Sequence, residues 1–153
     1  NSSKLWDTDQ ERSIIYGNLI HEILSKIVSK DDVESVLQEY VFEGILSNKE
    51  SKEILKKINA VVYHARLEKY FDKNLRILNE QALISNEKEI QIPDRIVFYK
   101  DRVVIIDFKT GAPMKKHHHQ LNKYERVMKE LGYSAKEKLL VYIDSKVLVD
   151  EVS

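Results

Sequence analysis

The chain has 153 residues, 42% apolar and 33% charged, with 25 basic residues against 25 acidic ones and no cysteine. That length supports one domain with a real core. The charge balance leaves any basic surface to be local, and the missing cysteines exclude a disulfide framework, thiolate-held zinc and a cysteine-ligated iron–sulphur cluster.

The first half reads as helical. Apolar residues at Ile14, Ile20, Ile23, Leu24, Ile27 and Val28 follow a helical period from about Gln10 to Ser29. Asp31-Asp32 suits the start of a second helix carrying Val33, Val36, Leu37 and Tyr40. Ser51 to Phe71 reads as a third helical region, broken or not, with Ile54, Ile58, Val61, Val62 and Leu67 inward. The period then changes to two: NLRILNEQALIS alternates loosely and KEIQIPDRIVFYKDRVVIIDFKTG more regularly. Thr110-Gly111-Ala112-Pro113 ends the strands, HHHQLNKYERVMKELGY is a helix stopped by Gly132, and EKLLVYIDSKVLVDEVS closes as one or two strands. The order predicts a mixed α/β domain with a central sheet. No apolar run is long enough to span a membrane, and nothing reads as a signal peptide. With Asn1 in first place, the expectation is a single domain over residues 1–153, a piece of a longer cytoplasmic protein.

The segment IPDRIVFYKDRVVIIDFKTG puts Asp94, Asp107 and Lys109 where a strand pair should fill a core. With a turn centred on Lys100-Asp101, facing residues pair Ile96 with Ile105, Val97 with Val104, and Asp94 with Asp107. Facing Cβ atoms then lie roughly 4.5–5.5 Å apart. Asp107 and Lys109, two apart, share a face. Two facing carboxylates repel unless compensated. Lys109 supplies one positive charge, and a divalent cation that takes hard oxygen ligands would supply two. The plainer alternative is a solvated face with incidental charges, against which Ile92, Ile96, Val103 and Ile105 count. Glu80, alternating with Leu78 and Ala82 on the preceding strand, is a third candidate carboxylate, for the metal, for water activation or for a structural pair with the lysine.

Two further pairs sit at helical spacing. Gly17 and His21 are four apart, so a small residue and an imidazole share one helix face. Gly17 lets that helix approach the sheet, and His21 is a candidate neutral nitrogen ligand or a core histidine. Gln120 and Tyr124 share a face of the late helix, as phosphate-side residues or as a capping glutamine and a core tyrosine. Lys115, Lys116 and His117 read as a local basic edge, whereas His64 is given no role.

In this order GNLIH, PD, DFKTG and QLNKY resemble the motifs of the RecB-like branch of the PD-(D/E)xK nucleases, over about residues 10 to 145. The resemblance implies a restriction-endonuclease-like fold, in which a central mixed sheet is flanked by helices and the N-terminal portion is helical. It implies a Mg²⁺- or Mn²⁺-dependent deoxyribonuclease, an exonuclease module of recombination and repair, in some relatives joined to a helicase motor. It also implies His21, Asp94, Asp107 and the Phe108 carbonyl as metal ligands and Lys109 as the catalytic lysine beside Asp94 and Asp107, to which the strand alternation adds Glu80 as a further catalytic candidate. Gln120 and Tyr124 would hold the lysine or the DNA backbone, and the basic edge of Lys115, Lys116 and His117 would then lie near the DNA entrance. Relatives with a cysteine-clamped iron–sulphur cluster are a different sort. The competing readings are a nuclease-like fold that binds DNA without cutting, and an unrelated carboxylate enzyme such as a phosphatase.

Overall fold

The structure, a computed structural model, describes residues 2–153, with side chains from Asp9 onward. Helix α1 (Ser2–Ser25) turns Gly17, Ile20, Ile23 and Leu24 inward, with Ile27 buried just past its end, while the expected core position Ile14 is 57% exposed and Val28 is also exposed. The buried stripe thus begins one turn later than the apolar pattern implied.

Ser29 opens the next turn by capping, its Oγ accepting the Asp31 N–H while the Asp32 carboxylate accepts the Val28 and Ser29 N–H groups. A single 3-10 turn, Lys30–Asp32, leads into α2 (Val33–Phe42). Helix α3 (Asn48–Val62) begins with a reciprocal capping box between Ser47 and Glu50, and so starts before the expected Ser51. The rest of that region is not helix α3 but a loop with a 3-10 turn at Glu68–Tyr70.

Seven strands follow: β1 (Arg76–Asn79), β2 (Leu83–Ile84), β3 (Ile90–Gln91), β4 (Arg95–Tyr99), β5 (Arg102–Lys109), β6 (Ser134–Ile143) and β7 (Val147–Glu151), with α4 (Lys115–Glu130) between β5 and β6. The main sheet has the order β1-β4-β5-β6-β7. All its pairs are antiparallel except β5 with β6, which α4 joins by a crossover. β2 and β3 form a separate small hairpin. The β4–β5 turn falls at Lys100-Asp101, with Lys100 in the left-handed region at φ 59°, and the register pairs Ile96 with Ile105 and Val97 with Val104, as expected.

The sheet separates two cores. Val97, Val104, Ile106, Phe108, Leu139 and Val141 pack under α1, α2 and α3. Ile96, Val103, Ile105 and Leu140 pack under α4 with Leu121, Tyr124 and Val127. Each buried aliphatic side chain contributes about 1.5–3 kcal/mol of transfer free energy. Such two-sided burial is why β5 is continuously apolar from Val103 to Ile106. Gly132, at φ 94°, ends α4 where a side chain would be strained. Among the described residues, no helix is long and apolar enough to cross a membrane.

Candidate active site

The apolar run of β5 gives way to charge at its last residues. Strand alternation puts Asp107 and Lys109 on the α4 side of the sheet and Phe108 on the other. Asp94 immediately precedes β4 and lies beside Asp107, its N–H donating to Asp107 Oδ1 at 3.3 Å. The Phe108 N–H donates to Asp94 Oδ2 at 2.8 Å, which fixes that carboxylate against the strand. Lys109 Nζ lies 2.8 Å from Asp107 Oδ2, and Asp107 is only 2% exposed. The facing of two carboxylates inferred from the hairpin register is therefore present, with the lysine between them and the α4 layer.

His21 reaches this strand end from the opposite layer. Its Nδ1 lies 2.8 Å from the Gly17 carbonyl, which assigns Nδ1 as the donor and turns Nε2 toward β5. Nε2 sits 2.6 Å from the Phe108 carbonyl oxygen and 3.5 Å from Asp94 Oδ2. Two acceptors that close need a proton or a cation between them. The approach depends on Gly17, because a Cβ there would stand 2.8 Å from Thr110 Oγ1. Gly17→Val is expected to cost about 1–3 kcal/mol of stability by overpacking. It should also weaken Mn²⁺ uptake by moving His21 off the strand. Denaturation and calorimetry check both, and unchanged uptake would count against the role of this close approach.

A chain of hydrogen bonds orients the lysine. Lys109 Nζ donates to Gln120 Oε1 at 2.7 Å, and Gln120 Nε2 donates to Tyr124 Oη at 2.8 Å. The Tyr124 hydroxyl faces the Ile92 carbonyl at 3.4 Å. Burial, with the charges of Asp107 and Asp94, raises the Tyr124 phenol far above its ordinary range, so it keeps its proton. Gln120 is thus not a helix cap; Met114 holds that position without a side-chain bond.

Other expected residues fall elsewhere. Glu80 does follow β1, and its N–H donates to the Asp94 carbonyl at 3.0 Å. Its backbone, however, turns through φ 49°, its side chain is exposed, and it makes no ion pair among the described residues. The lysine pairs with Asp107 instead. Lys115 and Lys116 are both exposed at the start of α4 but diverge: Lys116 shares a hollow with Lys109, and Lys115 lines another with Pro113 and Tyr142. His117 corrects the basic-edge reading. It is buried with Nδ1 2.9 Å from Tyr142 Oη, and burial, then the nearby lysines, lowers its pKa. His118 pairs with Asp150, and His64 Nδ1 accepts the Arg66 N–H. Ile92, expected on the apolar face, is exposed.

Arg95 is the residue the sequence reading passed over. It is fully buried, and its guanidinium donates to the carbonyls of Ile27, Val28 and Tyr70 at 2.7, 2.6 and 2.8 Å. It lies over the Phe71 ring at 4.1 Å. Burial lowers its pKa to about 10, so it stays charged. The signal was available: strand alternation places Arg95 with Val97 on the inner face beneath the helices.

Burial first, then the Asp107 charge, pushes the Asp94 carboxyl up to about 8, against the pull of the Phe108 N–H. The folded state therefore binds this proton more tightly than the unfolded chain, and the metal-free protein should lose stability as pH rises from about 4 to about 8. Denaturation in EDTA at either end of that window checks the sign. Asp94→Asn, which keeps an acceptor for Phe108, should flatten the dependence.

Among the described residues no three His, Asp or Glu side chains close on one point, because Asp107 is turned to Lys109. The donors that do converge are His21 Nε2, Asp94 Oδ2 and the Phe108 carbonyl. Hard oxygens with one imidazole suit Mg²⁺ or Mn²⁺, and a cation would relieve both the crowded acceptors and the carboxylate repulsion, so the residues fit such a group.

Fold and cluster together define a class: a mixed α/β domain that carries two carboxylates and a lysine at the open end of adjacent strands. The sequence profile of the PD-(D/E)XK nuclease superfamily matches residues 3–150, and the chain belongs to that superfamily. Its fold is restriction-endonuclease-like, and nucleases of this superfamily generally use divalent metals such as Mg²⁺. No curated protein matches the chain. A solved structure titled "Crystal structure of SSO0001" is similar over 87% of this chain, with 18% identity and a TM-score of 0.39. The chain spans 66% of the length of that protein.

Proposed function

We propose that the protein is a Mg²⁺- or Mn²⁺-dependent deoxyribonuclease of the RecB-like branch. In this reading it is an exonuclease module of recombination and repair, working on DNA inside the cell and coupled to a helicase motor in the same polypeptide or complex. The observation that carries the reading is the meeting of His21, Asp94, Asp107 and Lys109 at one strand end, from two layers of the fold. The ordered GNLIH, PD, DFKTG and QLNKY motifs support the branch.

His21, Asp94 and the Phe108 carbonyl would hold the cation, with Asp107 as a further ligand once its carboxylate turns from Lys109. When bound, it supplies a more acidic water and a polarised phosphate oxygen. The other tasks fall to this chain's own side chains. Hydrolysis adds a water oxygen to phosphorus and expels a sugar oxygen, so negative charge grows on the non-bridging oxygens. Lys109, held between Asp107 and Gln120, presents its amine where that charge develops or orients the attacking water. Tyr124 keeps Gln120 in place, and Lys116 adds positive charge alongside. Glu80, exposed and outside the bonded cluster, stays a candidate for water activation only through the neighbourhood its backbone bond to Asp94 gives it.

The test is incubation with linear single- and double-stranded DNA in Mg²⁺, Mn²⁺ or EDTA. Cleavage in either metal and none in EDTA is expected, with circular DNA resisting if the enzyme needs an end. Intact DNA under every condition would overturn the reading and favour the non-cleaving DNA-binding alternative.

A further inference from the structure

The helix that presents Gln120 and Tyr124 carries another row of side chains. Lys116, His119 and Lys123 recur on α4 at intervals of three and four, which places them on one face. With Lys109, Gln120 and Gln91 they line a hollow of about 590 Å³. No carboxylate lines it, and among the described residues Lys116, His119 and Lys123 form no ion pair. In a chain with equal numbers of acids and bases, Lys116, His119 and Lys123 make a local excess of positive charge, since of the lining cations Lys109 alone is held by a carboxylate, Asp107.

The facing wall is the β2–β3 hairpin. Leu83 packs into the α4 core, and the Asn86 N–H donates to Glu130 Oε2 at 2.8 Å, so the hairpin is pinned over the helix at both its strand and its tip. Past Gln91 and Lys123 the groove continues into a smaller hollow of about 230 Å³. There the lining changes sign, with Glu87, Glu89 and Glu130 set against Lys123 and Arg126.

We infer that this groove seats the phosphates of one DNA strand running from the reaction centre, and that the strand's favourable path ends at the Glu87–Glu89–Glu130 rim. The inference rests on the nuclease reading, because Lys109 marks where the scissile phosphate lies. From Lys116 to Lys123 the helix advances about 10 Å. That length accommodates only a few phosphates of one strand. A duplex carries its phosphates on the outside of a thick rod, whereas these cations line a slot between a helix and a hairpin. No Phe, Tyr or Trp lines the basic hollow, so base stacking contributes little there. Binding is therefore led by the backbone, indifferent to sequence and strongly dependent on salt.

The experiment measures binding of a labelled DNA oligonucleotide to the Asp107→Asn protein by fluorescence anisotropy over a salt series. The same sequence is supplied as single-stranded DNA, as a duplex and as an RNA strand. Single-stranded DNA should bind tighter than the duplex. Lys116→Ala and Lys123→Ala should each weaken it several-fold and flatten the log K against log salt slope by about 0.7. Glu89→Gln should tighten it, and Lys57→Ala, on the opposite helical layer, should change nothing. Unchanged slopes in both lysine variants, equal affinity for the duplex with the same variant effects, or a preference for the RNA strand would each overturn the inference. A parallel cleavage assay on the wild-type protein separates the two readings: absence of cutting removes the nuclease assignment, whereas the slopes judge the groove alone.

Discussion

Replacing Lys109 by alanine should lower DNA cleavage at least about 100-fold, the usual cost of removing one donor aimed at developing charge. The amine has no substitute in the structure: Lys116 and Lys123 line the same hollow but do not contact Asp107, and Gln120 is neutral. The fold should survive. Lys109 lies at the end of β5 and is partly exposed, so its loss leaves Asp107 short of a partner at a cost of about 1–3 kcal/mol rather than opening the core. A divalent cation should recover part of that stability by compensating the carboxylates. Gln120→Ala provides a graded companion, since it frees the lysine from one restraint while leaving the Asp107 contact, and its loss should be smaller. Gel assays with Mg²⁺, alongside circular dichroism of each variant, give the comparison. Wild-type rates in Lys109→Ala would remove the lysine from the chemistry.

The largest effect on stability should come from Arg95→Met. Methionine can fill much of the volume, but it leaves the Val28 and Tyr70 carbonyls without the donors that now reach them, and the Ile27 carbonyl with Asn79 alone. Each buried carbonyl left without a donor costs about 1–3 kcal/mol, so the sum is a large share of a small domain's total. Ile27 and Val28 lie just past the end of α1, where carbonyls lack helical partners and a cation also complements the helix dipole. Arg95 therefore ties the helix carrying His21 to the strand that follows Asp94. Denaturant unfolding should show a sharply lowered midpoint, or the variant should fail to accumulate as folded protein. A change below about 1 kcal/mol would mean that water satisfies those carbonyls.

Much of this protein follows from local chemistry and could be read along the chain. The β4–β5 register followed from a two-residue turn, because one slip would exchange the faces of every residue in the pair. That register alone brought Asp94 beside Asp107, and the period of two put Lys109 on the same face. The helical spacing of Gly17 with His21 and of Gln120 with Tyr124 was equally local, and both pairs face the strand end.

Other features depended on partners distant in the chain. Ile14 fits the apolar period but extends past the layer that α2, α3 and the sheet provide, so it stays in solvent. His117 read as part of a basic edge until β6 supplied Tyr142 against it. Glu80 alternates correctly, yet a positive φ at the end of β1 carries its side chain away from the cluster. Arg95 reads as an ordinary charged residue until three separate segments deliver carbonyls to it. The sequence by itself determined the β4–β5 pairing, the faces shared by Gly17 with His21 and by Gln120 with Tyr124, and the meeting of Asp94, Asp107 and Lys109, because those obey repeats of two and of 3.6 residues. Only the tertiary structure decided which of the charges are neutralised, buried or left facing a groove, because burial and pairing depend on atoms that chain distance does not encode.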